Sequence, residues 1–212
     1  MSAVSAGKRG QYARSKERRD RITQSVLGIV DELGYERVTT SLVAERSHIN
    51  EATVLYHFPT KDHLLVAACE YADELMAEAT GAATGDPVFD LQDFVRAPQD
   101  SEARHRLLVM LRGQSATMNH PARDYFRRRT LRTIAIFTTV ISHRQEAGLA
   151  HPGIDAADAA RQFIALWDGL GGMSLLDLDL DVESALLDGF RRLTGANWME
   201  ARGELLRDDL GL

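Results

Sequence analysis

The segment Thr39–Lys61, TTSLVAERSHINEATVLYHFPTK, decides the fold of this chain, because it divides into two short helices at a tight turn. Thr39 is a good N-cap: its hydroxyl can accept a backbone N–H that the first helical turn leaves without a partner. Leu42 and Val43 give that helix its apolar side, and Ser47, His48 and Ile49 form the turn. Asn50 is a second N-cap, for a helix carrying Val54 and Leu55 and stopped by Pro59. Two helices so joined, leaving through the aromatic and basic run Tyr56-His57-Phe58-Pro59-Thr60-Lys61, form the pattern that sets a helix in the major groove of DNA. The same pattern also occurs in all-helical cores that meet no nucleic acid, so the flanks carry weight.

Working outward to the N-terminal side, Ile22, Val26, Ile29, Val30 and Leu33 recur at helical spacing and predict one apolar face, ended by a left-handed cap at Gly34. The first 21 residues hold seven Lys and Arg (Lys8, Arg9, Arg14, Lys16, Arg18, Arg19, Arg21) against Glu17 and Asp20. They read as a flexible basic arm over 1–14 leading into a helix, or as a tail kept charged for solubility. The net charge of −6 conceals this asymmetry: residues 1–63 carry ten basic and eight acidic side chains, the remainder fifteen and twenty-three. Only the first part suits phosphates.

On the C-terminal side, a helix begins near Lys61 with Leu64, Leu65, Ala68, Ala72, Leu75 and Met76 along one side, and Gly81–Pro87 reads as a loop. A short helix follows over about Asp90–Val95, then one over about Gln99–Met118, broken at Asn119, His120 and Pro121. A long helix over about Ala122–Ala147 presents Phe126, Thr130, Ile134, Phe137 and Ile141 and is capped by Gly148. After the linker His151-Pro152-Gly153, a helix starts at Asp155 or Asp158 and runs through Phe163, Leu166, Trp167 and Leu170. Two more fill Val182–Leu193 and Ala196–Leu206. No run alternates as a strand would. The expected fold is all-α: the arm over 1–14, a helix-turn-helix DNA-binding domain over 15–62, and a larger helical domain over 63–212.

The order Gly34-Tyr35, Thr39, Val43-Ala44 and then Tyr56-His57-Phe58-Pro59-Thr60-Lys61-Asp62-His63-Leu64-Leu65 resembles the N-terminal domain of TetR-family transcriptional regulators, over about residues 15–66. The later chain is similar to that family in helical content, length and an apolar helix ending in Leu175-Leu176-Asp177. The resemblance implies a homodimer with DNA-binding heads on a ligand-binding body. Its last long helices, here about 155–177 and 182–194, would pair two subunits. An effector pocket would lie among the helices between about 61 and 177, and ligand binding would swing the helix starting at Lys61. The implied activity is that of a repressor on a palindromic operator, released by a small molecule. An activator, a regulator without ligand, a helical ligand- or partner-binding protein that has lost DNA binding, or an enzyme built on the same body are the alternatives. His48 departs from the glycine common in the family's turn, and Leu55 from a common tyrosine.

Position assigns the DNA-binding candidates. Thr39, Thr40 and Ser41 open one helix, where hydroxyls and free N–H groups suit a phosphate oxygen. Asn50, Glu51, Ala52 and Thr53 open the next: Thr53 can donate or accept, Ala52 can touch a thymine methyl, and Glu51 can accept from a cytosine amino group while repelling phosphate. Tyr56, His57 and Lys61 are candidate phosphate ligands. Met76, Met110, Met118, Phe126, Phe137, Trp167 and Met173 are candidates for an apolar effector pocket, methionine adapting to varied ligands. Core packing is the alternative for each. Arg123, Arg127, Arg128, Arg129 and Arg132 read as a solvated face or as an anionic effector site.

Other classes find little support. The one cysteine, Cys69, allows no internal disulfide, and no apolar run reaches the length of a membrane span, so a reducing cytoplasm is the expected location. Asp177, Asp179, Asp181 and Asp188 imitate a calcium loop, but Val182 stands where that loop needs glycine. Gly169, Gly171 and Gly172 follow no strand and fit close helix packing better than a dinucleotide loop. No nucleophile elbow, phosphate loop or histidine pair with a third ligand occurs, so neither enzyme, metal nor cofactor is expected.

Overall fold

The structure, a computed structural model, describes the backbone of residues 3–80, 101–176 and 178–202 and the side chains of 14–77, 101–176 and 178–202. The expected loop at 81–87, the short helix over 90–95, Asp177 and the chain beyond 202 lie outside the described residues. Within them the chain is helical: α1 (Ala3–Leu33), α2 (Thr40–Ser47), α3 (Glu51–His57), α4 (Lys61–Thr80), α5 (Glu102–Gln114), α6 (Pro121–Glu146), α7 (Ala156–Met173) and α8 (Val182–Leu193). No helix among the described residues is long and apolar enough to cross a membrane.

One compact unit runs through α4 and includes α5 up to Tyr125; the other is built from Phe126 onward. The boundary expected at 62/63 falls inside the first unit. The physical reason is the start of α4, where Leu64, Leu65 and Ala68 are at most 1% exposed and pack with the α1 stripe. In α1, Ile22, Val26, Ile29 and Val30 are fully buried, with Leu27 beside them, whereas Leu33 is 45% exposed. Leu33 is the last residue of the helix. The helix also extends back to Ala3, through the residues expected as an irregular arm. The stretch lacks proline and is rich in good helix formers, which offset Gly7 and Gly10.

Two ties close this unit. Asp31 accepts from the Ser101 hydroxyl at 2.8 Å and from Arg104 at 2.9 and 2.5 Å, linking α1 to the N-terminus of α5. His120 reaches Asp62 at 3.4 Å, joining the turn before α6 to the first turn of α4. Helix α5 is shorter than the expected 99–118, because turns occupy 115–119 and Asn119 is left-handed at φ 63. Pro121 then takes the first position of α6, where its missing N–H costs nothing.

The second unit is organised by three aromatic rings. Phe137 of α6 lies 4.9 Å from Phe163 of α7, and Phe163 lies 5.1 Å from Phe190 of α8, between ring centroids. Ile141, Ala160, Ile164, Leu170 and Leu186 complete this core. Gly189 on α8 allows the close approach to α7: a Cβ there would stand 2.2 Å from Leu166 Cδ2. Gly169 and Gly172, expected to serve close packing, meet nothing within 4 Å in the described chain. Asp155 caps α7 through the Asp158 N–H at 2.7 Å, and Asp181 caps α8 through Ser184 at 3.0 Å. Capping therefore accounts for Asp181, the aspartate nearest the missing calcium-loop glycine. That hydrogen bond also holds its carboxyl below the ordinary carboxylate value.

Candidate nucleic-acid interface

The α2–α3 pair is positioned by local bonds that its own residues make. Thr39 Oγ1 accepts from the Leu42 N–H at 3.2 Å and Asn50 Oδ1 from the Thr53 N–H at 2.8 Å, so both expected caps are formed. Between them His48 adopts φ 53, ψ 40, the left-handed conformation that a turn glycine would otherwise take. His tolerates this region better than most side chains. The Ile49 N–H bonds back to the Ala44 carbonyl at 3.1 Å and closes the end of α2. At the far end Phe58 is extended, as a residue before proline tends to be, and α3 stops after two turns.

Helix α3 is held by one side only. Val54 is fully buried and Phe58 is 2% exposed, while Glu51, Ala52, Leu55 and Tyr56 face outward. Leu55, expected to share the buried side with Val54, is 43% exposed, and Tyr56 is 83% exposed. A seven-residue helix has a single packed edge, and Val54 with Phe58 occupies it. The uncovered face therefore combines a carboxylate, a methyl, an isobutyl group and a phenol. With its side chains an α-helix is about 10–12 Å across, which fits a major groove about 12 Å wide.

Of the expected DNA-facing residues, 39–41 and 50–53 stand at the N-termini of α2 and α3, Tyr56 and His57 at the far end of α3, and Lys61 at the start of α4. The Thr40 hydroxyl donates to Glu51 Oε1 at 2.5 Å, so a carboxylate occupies one of the hydroxyls expected to meet phosphate. Lys61 Nζ donates to the Glu36 carbonyl at 2.8 Å and ties the turn Tyr35–Arg37 to the start of α4. Thr39 and Ser41 remain exposed and share a 3.2 Å hydroxyl contact. His57 meets Tyr56 edge-on at 5.3 Å. Burial, and then the charges of Arg19 and Arg18, hold its imidazole below the ordinary histidine value. Arg19 itself lies 4.6 Å over the Phe58 ring.

A further set of residues enters here that position in the sequence did not assign. A groove of about 410 Å³ is lined by Arg14, Glu17, Arg18 and Arg21 of α1 and by His48, Ile49, Asn50 and Thr53 of the turn and α3. Spacing of i, i+4, i+7 along α1 was the signal for the arginine stripe. Its meeting with the turn is a tertiary fact.

The effector candidates fall in both compact units. Met76, Met110 and Met118 belong to the first unit, and Met76 and Met118 are 41% and 79% exposed. Phe126, Phe137, Trp167 and Met173 belong to the second; Phe137 is a core ring, and Trp167 stands edge-on to Phe163 at 6.3 Å. Leu75, expected on the packed side of α4, is 46% exposed. Of the arginines on α6, Arg123, Arg127, Arg128 and Arg132 are exposed and Arg129 is half-buried.

Residues 30–68 match the family model described as bacterial regulatory proteins, tetR family. The transcriptional repressor KstR of Mycolicibacterium smegmatis is 40% identical over 68 residues, 32% of this chain and 33% of that one. The match thus spans about a third of the curated relative's length. Among solved structures, a TetR transcription regulator from Haloarcula marismortui superposes with a TM-score of 0.66 at 22% identity, over 85% of this chain and 96% of the other. A transcriptional regulator from Saccharomonospora viridis in complex with choline gives 0.65 at 24% identity, over 82% and 94%. At these identities the likeness establishes the fold.

Proposed function

We propose that this chain, whose N-terminal domain is that of the tetR family of bacterial regulatory proteins, is a transcriptional repressor that binds operator DNA through α2 and α3. The observation that carries the reading is the outer face of α3. Leu55 and the 83%-exposed Tyr56 stand uncovered on the helix whose cap and first turn line the arginine groove, an arrangement that gains nothing in the isolated chain and suits a polyanion with apolar base edges. In this reading Thr39 and Ser41 meet phosphate, and Ala52, Thr53 and Glu51 meet bases. Tyr56 and His57 flank them, and Lys61 supports the site from the turn it holds. The repressive sign is supported by the KstR repressors, 40% identical to this chain over 68 residues in the Mycolicibacterium smegmatis relative.

The protein acts as a homodimer in the same proposal, pairing through α7 and α8, where the open surfaces at Gly169 and Gly172 offer room for a neighbouring helix. A small molecule bound in the helical body releases it, with buried Phe126 and half-buried Trp167 of the second unit as candidates. The Saccharomonospora regulator, with its bound choline, is a precedent for a ligand on this fold. Its setting is the cytoplasm, where DNA is reached.

A mobility shift with duplex from upstream of the coding region tests the reading. Binding by the intact chain, lost on Tyr56→Ala with the fold retained, is the expected result. Unchanged binding by that variant would refute the role of α3, and no salt-dependent binding to any duplex would leave a ligand- or partner-binding helical protein. Footprinting should give two half-sites separated by about one helical turn or a multiple.

A further inference from the structure

We infer that the groove between α1 and the α2–α3 turn is a second DNA-binding surface, in which Arg14, Arg18 and Arg21 grip the phosphodiester backbone of the strand beside α3. The inference rests on the reading of α3 as a DNA-binding helix. It adds the arginine side of the groove, which α1 alone supplies, and turns α1 from a scaffold helix into a binding element.

Four observations support it. The three guanidinium groups share one stripe of α1 and open into a single groove with Asn50 and Thr53, residues of the cap and first turn of α3. A ligand lying there touches both elements at once. Charge comes second: the groove carries three arginines against Glu17, which among the described residues bonds only Arg21, at 3.4 Å with both side chains at least half exposed. Such an exposed pair is worth little and yields readily to a phosphate. Other basic side chains of the same unit are committed elsewhere: Arg46 holds Glu32 at 3.1 and 2.9 Å, and Arg104 holds Asp31. Arg14 and Arg18 make no hydrogen bond or ion pair among the described residues.

Third, the surrounding field is cationic enough to act on a neighbour, since Arg19 and Arg18 both add to the burial that disfavours a proton on His57. Fourth, the dimensions match. From Arg14 to Arg21 the stripe rises about 10 Å, and one DNA strand presents a phosphate about every 3.4 Å along the helix axis, so three arginines face about three phosphates. Guanidinium groups suit this use through their planar, paired donors.

The test uses the full chain with Arg14→Ala, Arg18→Ala, the triple alanine variant, and Arg18→Lys. Fluorescence anisotropy would follow binding to upstream duplex and to a random duplex between 50 and 200 mM salt. Removing one arginine–phosphate pairing should reduce the slope of log K against log salt by about 0.9 in magnitude, equally on both duplexes, and the triple variant should lose about 2.7. Arg18→Lys should keep the wild-type slope. Glu17→Gln, which frees Arg21, should strengthen binding to both. All these side chains are exposed, so thermal melts should match the wild type.

A triple variant with wild-type melt and wild-type slope would overturn the inference while leaving the reading of α3 intact. A loss confined to one duplex would overturn it in favour of base contacts. Displacement of the duplex by inorganic phosphate at low millimolar concentration would point instead to a small-anion pocket and would likewise overturn it. A wild-type chain that binds no duplex at any salt would refute the DNA reading itself.

Discussion

Asn50 allows the structural and electrostatic parts of the site to be separated with two substitutions. Its Oδ1 accepts from the Thr53 N–H at 2.8 Å, and the residue is exposed and lines the arginine groove. Asn50→Ala removes the cap, a loss of about 1 kcal/mol for an exposed N-cap. Helix α3 has seven residues, far fewer than the roughly 12 to 15 that an isolated helix needs, so the whole helix bears that loss. With a urea m-value of about 2.5 kcal/mol/M, the unfolding midpoint should fall by about 0.4 M. DNA affinity should fall by up to about fivefold, since about 1.4 kcal/mol is a factor of ten. Asn50→Asp keeps an acceptor at the cap and sets a negative charge at the positive end of α3, so the urea midpoint should return to the wild-type value. The same carboxylate enters the arginine groove, so affinity should stay low and the salt slope should shrink by about 0.9. Urea melts followed by circular dichroism and anisotropy titrations at several salt concentrations read the two effects separately. An unchanged midpoint for Asn50→Ala, or an Asp variant as unstable as the Ala variant, would refute the capping argument. Recovery of full affinity by Asn50→Asp would refute the electrostatic one.

Further outcomes follow from other contacts. Glu51→Gln removes a carboxylate from the mouth of α2 while keeping an acceptor for Thr40; binding to random duplex should tighten severalfold, about 1 kcal/mol for one charge near a phosphate in water. Weaker binding to random duplex would contradict this. Phe137→Ala opens a fully buried site between Phe163 and Phe190 and should cost about 3–5 kcal/mol in denaturant melts; a cost under about 1 kcal/mol would show the cluster relaxing around the gap. His57 lies below its ordinary value near 6.5, so as the pH falls the unfolded chain takes up the proton first. Stability present above pH 6.5 is therefore lost as the pH falls through the lower folded value, and His57→Gln should flatten that decline. An equally steep decline in the variant would assign it to other groups.

How much was legible from residues alone depended on the reach of each interaction. The two caps at Thr39 and Asn50, the left-handed turn at His48 and the stop at Pro59 involve partners within about one helical turn, and they stand where the residue types place them. Helix α8 likewise keeps the expected bounds, set by Asp181 at one end and Gly195, at φ 66, beyond the other. Apolar periodicity located the helices but overfilled their buried faces. Leu33, Leu55, Leu75 and Met76 all fall on an apolar arc and all are exposed, because the neighbouring helices cover only part of each arc.

By itself, then, the sequence determined an all-helical chain with a capped helix-turn-helix near its start, since those features are written in hydrogen bonds and backbone preferences of near neighbours. The tertiary structure decided which side of α3 stays uncovered, that Lys61 is bound to a carbonyl 25 residues earlier, and that Glu51 reaches back to Thr40. It also decided that the arginines of α1 open onto the α2–α3 turn. Each of these joins residues on different helices, and their meeting depends on how apolar faces pack, which local spacing leaves undetermined.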